Sequence, residues 1–356
     1  MAGPCGTGPY KLVEGVSTPD KRSDRVVLEA NLEYWDLSRY PRLQRIIFDN
    51  TVGQKEAVER IKDDAGRVDL VTDLSPLETL RVAQSPAAQV VKNRGALATV
   101  FGFFNLRKAG SPGHDVRLRQ AINYAINRDD LIRYATKGNG VVIPALVPAQ
   151  GFGYDPALAP YPFDPAAARR LLREAGTAEG LTLSLIASEE LQAQATVVSK
   201  MLEQVGLTVE LQILDGTALN RKTHLGNLDQ TPEHQSWDIA LTLYPDPLNF
   251  PVFSVYRTFA LDGPWNWGIK DEKLHRLHDA VLQIIDREQQ QALIRQMERH
   301  THEQAYFLFL YSPIKLYAVN KAVTFVPYVT GNLLFAETSV TEQHWSVRKQ
   351  KASTPE

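Results

Sequence analysis

Four histidines in the last quarter of the chain have a spacing that could do chemistry. His275 and His278 lie three apart where apolar residues recur with a helical period, so both reach one side of a helix. His300 and His302 lie two apart near the end of the next helical stretch and cannot share a face. A protein-built zinc site needs three or four converging ligands, and no His-Glu-x-x-His occurs here. His278 also falls on an apolar stripe with Leu274, Leu277 and Val281, which makes it a packing residue. No metal and no other cofactor is expected. Phosphate chemistry lacks a Gly-Lys-Ser/Thr loop. The pairs Gly138–Gly140 and Gly151–Gly153 lack a third glycine and a strand-to-helix context, so they read as turn glycines. Acyl-transfer chemistry lacks a Gly-x-Ser-x-Gly elbow. No catalytic constellation remains, and a binding role is the expectation.

Aromatic residues are more informative. Tyr244, Tyr256, Phe259, Trp265 and Trp267 crowd a stretch rich in Pro, Gly and Asn, directly after the apolar run Trp237–Leu243. Large aromatics beside a strand end either line a ligand cleft or fill a small core beneath a loop, and both readings stay open. Ligands of open α/β sheets sit beyond the carboxyl ends of strands. The expected ligand-binding residues are therefore Tyr244, Asp246, Asn249, Trp265 and Trp267, in the loop Tyr244–Phe250 and the Trp265/Trp267 segment.

The elements that must position them follow from pattern. Residues 10–50 read as a β-meander of short apolar runs punctuated by Gly15, Pro19 and Pro41. A helix from Gln54 carries Ala57, Val58 and Ile61 on one stripe and stops at Gly66. Val68–Val71 reads as a strand, and Ser75-Pro76 as the start of a second helix. Asp115–Lys137 reads as two helices, and residues 138–164 as a long proline-rich loop. Asp164-Pro165 opens a helix that Gly176 ends. Leu181–Ile186, a helix from Ser188 to about Gln204, and Leu207–Leu214 make a βαβ unit, whose strands should be parallel. Two helices near 271–285 and 287–304 precede a strand at Tyr306–Tyr311.

Composition sets outer limits. The chain has 356 residues, 22% charged, with a formal net charge of −2, so no basic field points to nucleic acid. Its single cysteine, Cys5, excludes an internal disulfide and a thiolate metal cage. No apolar run approaches the ~20 residues that span a bilayer. The first ten residues show neither a basic n-region nor an apolar h-region.

Several segments together resemble the peptide/nickel-type extracytoplasmic solute-binding proteins, bacterial family 5. They are Gly6-Thr-Gly-Pro-Tyr-Lys-Leu-Val-Glu14, Phe104-Asn105 with Asp115–Arg128, and Tyr161–Gly176. Trp237-Asp-Ile-Ala-Leu241, Asp246-Pro247 and the helix-strand unit Gln291–Tyr311 continue the series in the same order. The resemblance implies an α/β, periplasmic-binding-protein-like two-lobed fold of type II that closes on a ligand held between its lobes. It implies a solute-binding subunit of an ABC importer. Its partners would be a small-molecule or peptide ligand and ABC permease subunits in the membrane, with a periplasmic or cell-surface location. It further implies no enzymatic step, and a monomer when complete. In the family the Gly-Thr-Gly-Pro-Tyr segment lies well inside the chain, whereas here it begins at residue 6. The expectation is thus an N-terminally truncated chain with lobe II complete and lobe I partial. Residues 1–99 would be partial lobe I and 100–318 lobe II. Residues 319–356 would be the return segment and tail, with crossings near 98–106 and 312–322. A ligand-sensing domain of a transcription regulator, which shares this fold, is the rival reading. In peptide-binding members of the family an acidic side chain just past the strand before Asp-Pro holds the ligand's α-ammonium. Leu243 or Tyr244 stands there in this chain, so that anchor is missing. Asp246 could substitute, although an Asp before Pro is more often a turn former.

Overall fold

The computed structural model describes residues 6–16, 21, 23–62, 68–177 and 180–348. Cys5, Pro19, Gly66 and the tail from Lys349 lie outside the described residues. The chain divides into two units. One combines Met1–Asn93, Lys315–Tyr328 and Asn332–Glu356, and the other Arg94–Ile314 with Val329–Gly331. The chain therefore passes between them at 93/94, ahead of the 98–106 stretch read from sequence, at 314/315, and again at 328/329 and 331/332.

The first unit opens with β1 (Tyr10–Glu14), β2 (Arg25–Ala30) and β3 (Arg45–Asp49), an antiparallel meander in the order β1-β2-β3. Then come α1 (Gln54–Ile61), β4 (Leu70–Val71), α2 (Thr79–Ala83) and β5 (Ala88–Asn93). Ser75 does not cap α2. Its Oγ accepts from the Leu77 amide and its carbonyl from the Glu78 amide, which closes a turn and delays the helix to Thr79. An Asx/ST-type turn satisfies the same donors a cap would, so the two signals look alike in sequence.

The second unit holds β6 (Ala98–Phe104), α3 (Val116–Ala125), α4 (Arg128–Thr136), β7 (Gly140–Val142), α5 (Pro165–Glu174), β8 (Thr182–Ser188), α6 (Gln192–Glu203) and β9 (Thr208–Leu214). It continues with α7 (Gly216–Thr223), β10 (Ile239–Pro245), α8 (Arg257–Phe259), α9 (Glu272–Gln283), α10 (Arg287–Glu303) and β11 (Phe307–Pro313). The first unit then resumes with β12 (Lys315–Asn320), β13 (Val323–Thr324) and β14 (Ser339–Val340). There β12 lies between β4 and β5 and is buried along nearly its whole length.

Six strands of the second unit form one mixed sheet, in the order β7-β11-β6-β10-β8-β9. As the βαβ pattern requires, β8 and β9 run parallel from Thr182↔Thr208 to Ser188↔Leu214. Both faces of this sheet are covered, which explains the long apolar runs of its central strands. Leu118, Ile122, Leu131, Val198 and Leu202 from α3, α4 and α6 cover one face. Phe101, Trp237, Tyr256, Trp267, Ile294 and Met297 belong to the core on the other. Gly102 in β6 lets this happen. A Cβ there would sit 3.1–3.2 Å from Leu241, Leu308 and Ile239, whose side chains close over the strand instead.

The Asp115–Arg128 segment has a clear structural task. Asp115 caps α3 by accepting from the Arg117 amide, and Asn127 caps α4 by accepting from the Asp130 amide. Asn123 bridges α3 to β11, donating to the Phe307 carbonyl and accepting from the Phe309 amide. Arg128, 4% exposed, donates to the carbonyls of Phe309, Asn123, Ile126 and Tyr161 and to Asn123 Oδ1. The Asn found at position 127 caps its helix in full.

Candidate ligand pocket

Strand β10 pairs with β6 along its full length, from Ile239↔Phe104 to Pro245↔Ala98. With β8 it pairs only at Ile239↔Leu185 and Ala240↔Ile186. Past Ala240 the two parallel neighbours diverge, because β8 stays with β9 as far as Ser188. Helix α7 fills in beside the gap, capped by Asp215, whose Oδ1 accepts from the Thr217 and Ala218 amides at 2.9 Å each. What is left is a pocket of about 240 Å³ at the carboxyl end of β10.

Its walls come from three directions. Leu241–Tyr244 contribute the strand, Gly216, Leu219, Asn220 and Thr223 the helix α7, and Phe103, Phe259 and Trp265 the aromatic side. Trp265 stacks on Phe259 with centroids 5.9 Å apart, and Tyr244 meets Phe259 edge-on at 5.0 Å. Tyr244 Oη lies 3.2 Å from Thr258 Oγ1. No charged side chain lines the pocket among the described residues. Asn220, Thr223, Thr242 and Tyr244 provide neutral polar groups, so the surface is apolar with a few hydrogen-bonding points, as ligand pockets usually are.

The residues expected from sequence separate here. Tyr244 and Trp265 are walls of the pocket. Trp267 is a correction: it is 1% exposed, meets Trp237 edge-on at 4.6 Å and donates its indole N–H to the Thr223 carbonyl, so it is core beneath the pocket. Tyr256 is likewise fully buried. Asp246 is turned onto its own loop, its Oδ1 accepting from the Leu248 and Phe250 amides, while its own amide donates to the Leu97 carbonyl. Burial raises its pKa against the pull of those amides. Asn249 takes a left-handed backbone (φ 48°) and its Oδ1 accepts from the Phe152 amide at 2.8 Å. Both residues shape the loop, the turn-former reading of Asp246. Beside it, Tyr244 and Asp246 border a second space of about 10 Å³, with Leu146, Val147, Pro148, Pro251 and Val255 opposite. Helix α7 was missed in sequence because Gly216–Thr223 has no apolar stripe long enough to signal a helix.

The histidines do not converge. His300 Nε2 lies 2.6 Å from Asp271 Oδ2, and His302 donates from Nδ1 to the Pro144 carbonyl. His275 donates from Nδ1 to the Asp271 carbonyl, and His278 Nδ1 faces Asp279. Among the described residues, no group of three or more His, Cys, Asp and Glu side chains is placed to hold a metal ion. A wider hollow of about 790 Å³, containing Arg107, Asn266 and His275, lies toward the opposite end of β10. Three of its four carboxylates are engaged, Asp271 with His300 and Tyr306, Glu272 with Arg276 and Asp279 with His278, and the exposed Asp262 lies 3.9 Å from His275. The smaller pocket lies at the strand's carboxyl end, where ligands of open α/β sheets sit. Among the described residues no helix is long and apolar enough to cross a membrane.

A family model described as "Bacterial extracellular solute-binding proteins, family 5 Middle" matches residues 1–262. The chain belongs to this family. Among curated family 5 relatives, the Dipeptide-binding protein of Escherichia coli (strain K12) is 28% identical over 182 residues, covering 51% of this chain and 32% of its own. Glutathione-binding protein GsiB of Salmonella typhi is 27% identical over 225 residues, covering 60% of this chain and 40% of its own. The chain thus spans about a third to two-fifths of the length of these relatives. Two solved structures show the same fold, that of type II periplasmic binding proteins. NikA from Brucella suis in complex with Fe(III)-EDTA has a TM-score of 0.77 at 23% identity, over 94% of this chain and 68% of that one. DppA from Helicobacter pylori in complex with peptide STSA has a TM-score of 0.75 at 20% identity, over 94% and 63%.

Proposed function

We propose that this chain acts in ligand capture for an ABC importer, outside the cytoplasmic membrane. It would bind peptides or similarly polar small solutes at the carboxyl end of β10 and hand them to permease subunits without chemical change. One observation carries the reading: a family 5 chain keeps an aromatic pocket, walled by Tyr244, Phe259 and Trp265, where β10 leaves β8. The dipeptide- and glutathione-binding names of its curated relatives support the solute class.

The pocket also bears on which solutes fit. No carboxylate lines it; Asp215, next to Gly216, is committed to capping α7, and Asp246, two residues past Tyr244, to loop amides. A charged partner lost from a desolvated site typically costs a few kcal/mol of binding. The site therefore places little demand on a free α-ammonium, and blocked peptides, glycosides or chelates suit it as well as free peptides. Calorimetry with Met-Leu, N-acetyl-Met-Leu and glutathione tests this. Binding of Met-Leu and its acetylated form within about tenfold of each other supports the reading. Tight binding of Met-Leu that disappears on acetylation, and again in Asp246→Asn, would overturn it. Trp265→Ala should weaken whichever probe binds by roughly tenfold or more through loss of aromatic contact area.

A further inference from the structure

Helix α10 carries one acid where its sequence calls for an apolar residue. Glu298 is 1% exposed and follows Ile294 by four positions on the face that packs into the core. Its carboxyl has two donors and, among the described residues, no ion-pair partner. Oε2 accepts from the Val147 amide at 2.9 Å, and Oε1 accepts from the Tyr256 hydroxyl. These donors belong to two separate backbone segments. Val147 sits between Leu146 and Pro148, and Tyr256 ends the π-helical turn Val252–Tyr256. Both segments border the small space next to Tyr244 and Asp246: Leu146, Val147 and Pro148 on one side, Pro251 and Val255 on the other. π-turns inside helices often mark functional positions.

We propose that Glu298 is a positioning residue for the ligand site, its buried carboxyl clamping together the two segments that flank the carboxyl end of β10. The clamp rests on the ligand-capture reading for its purpose but not for its existence. The groups facing the carboxyl are Tyr256 from the π-turn, the Leu146–Val147 backbone and Asp155 from the following loop, and Thr301, one turn on along α10, faces the Tyr256 hydroxyl. Asp155 is itself ion-paired with Arg299, and Thr301 Oγ1 is buried beside the Tyr256 hydroxyl. A protonated Glu298 can donate to the Tyr256 oxygen, whose hydroxyl is then free to turn to Thr301, so the neutral form is fully satisfied. The ionised form keeps two donors and no counter-charge. Burial raises the carboxyl, against the pull of the Tyr256 hydroxyl and the Val147 amide, from 4.5 to about 7. The closed clamp therefore holds its proton more tightly than an opened, hydrated one. Closure is favoured below the hydrated pKa and is lost as pH rises toward about 7.

Amide hydrogen exchange over residues 144–150, corrected for intrinsic rates, tests the clamp in ligand-free protein. In wild type, protection at Val147 should fall by roughly tenfold or more between about pH 5 and pH 8. Glu298→Gln is neutral throughout and can donate to Tyr256 while accepting from Val147, so its protection should stay high and flat. That gain in protection at alkaline pH is a result no ordinary packing residue would give. Tyr256→Phe, which removes one donor to the carboxylate, should extend the loss to higher pH and serves if E298Q fails to fold. A pH-independent wild type, or an E298Q profile that follows wild type, overturns the proposal. Met-Leu binding measured alongside should weaken with rising pH in wild type and not in E298Q. Should none of the three probes bind, the ligand-capture reading falls, while exchange still decides the clamp.

Discussion

Arg128 and Glu298 are both buried ionisable side chains without an ion-pair partner among the described residues, and the second unit treats them in opposite ways. Arg128 lies in the corner between α3 and α4 and has five acceptors, four of them backbone carbonyls. Burial lowers its pKa only to about 10, so it stays cationic throughout the physiological range. Glu298 has two donors for a carboxylate that can accept from about four, and it titrates near neutrality. The difference is hydrogen-bond supply. A buried ion surrounded by matching dipoles is a fixed strut, and one left half-supplied can change state with pH.

The sharpest way to break this comparison is Arg128→Met. It would strand the Phe309, Asn123, Ile126 and Tyr161 carbonyls without their donor, and should cost about 3–5 kcal/mol in urea unfolding followed by tryptophan fluorescence. A loss under about 1 kcal/mol would mean that the strut carries little. Glu298→Gln should do the reverse. Wild-type stability contributed by this group is full below pH 4.5 and is lost as pH rises to about 7. At about pH 8, E298Q should therefore unfold later than wild type by up to about 3 kcal/mol, and near pH 4 by little.

A third site sharpens the comparison from the other direction. Asp271 has three donors, Tyr306, His300 and the Leu274 amide. Burial opposes its charge, but these bonds outweigh burial and bring its pKa from 3.8 to about 2. Its contribution is present above 3.8 and lost as pH falls through about 2. Asp271→Asn should cost about 1–2 kcal/mol near neutrality by thermal unfolding, with less loss in acid. Tyr244→Phe should have the smallest effect on folding, under about 1 kcal/mol, because only the hydroxyl contact with Thr258 is lost.

Much of this architecture was legible in the residues. The β8–α6–β9 unit declares itself by a change of period, and the Asp164-Pro165 and Gly176 signals bracket α5 as caps should. Strands β5 and β12 escaped notice because Ala88–Asn93 and Lys315–Asn320 are short and mix polar with apolar residues. Their identity comes from pairing with each other. Part of the aromatic cluster walls a pocket, yet a tryptophan that walls a pocket and one that supports its floor look the same in sequence. Only the packing of Trp267 on Trp237 separates them. Glu298 did leave a signal, an acid in step with Ile294 and Thr301 on an otherwise buried face. It is hidden by the polar neighbours Gln296, Arg299 and His300 around it.

The place of β12 in its sheet has a consequence in time. Asn93 pairs with Lys315, and between them the chain lays down the whole of the second unit apart from Val329–Gly331. During synthesis the six-stranded sheet can assemble once Pro313 has emerged, while β4 and β5 still wait for the strand that belongs between them. The β4-β12-β5 sheet therefore closes after the second unit's sheet and bears the larger loop-closure penalty. A stall between residues 313 and 320 leaves it open while the six-stranded sheet already has all its strands.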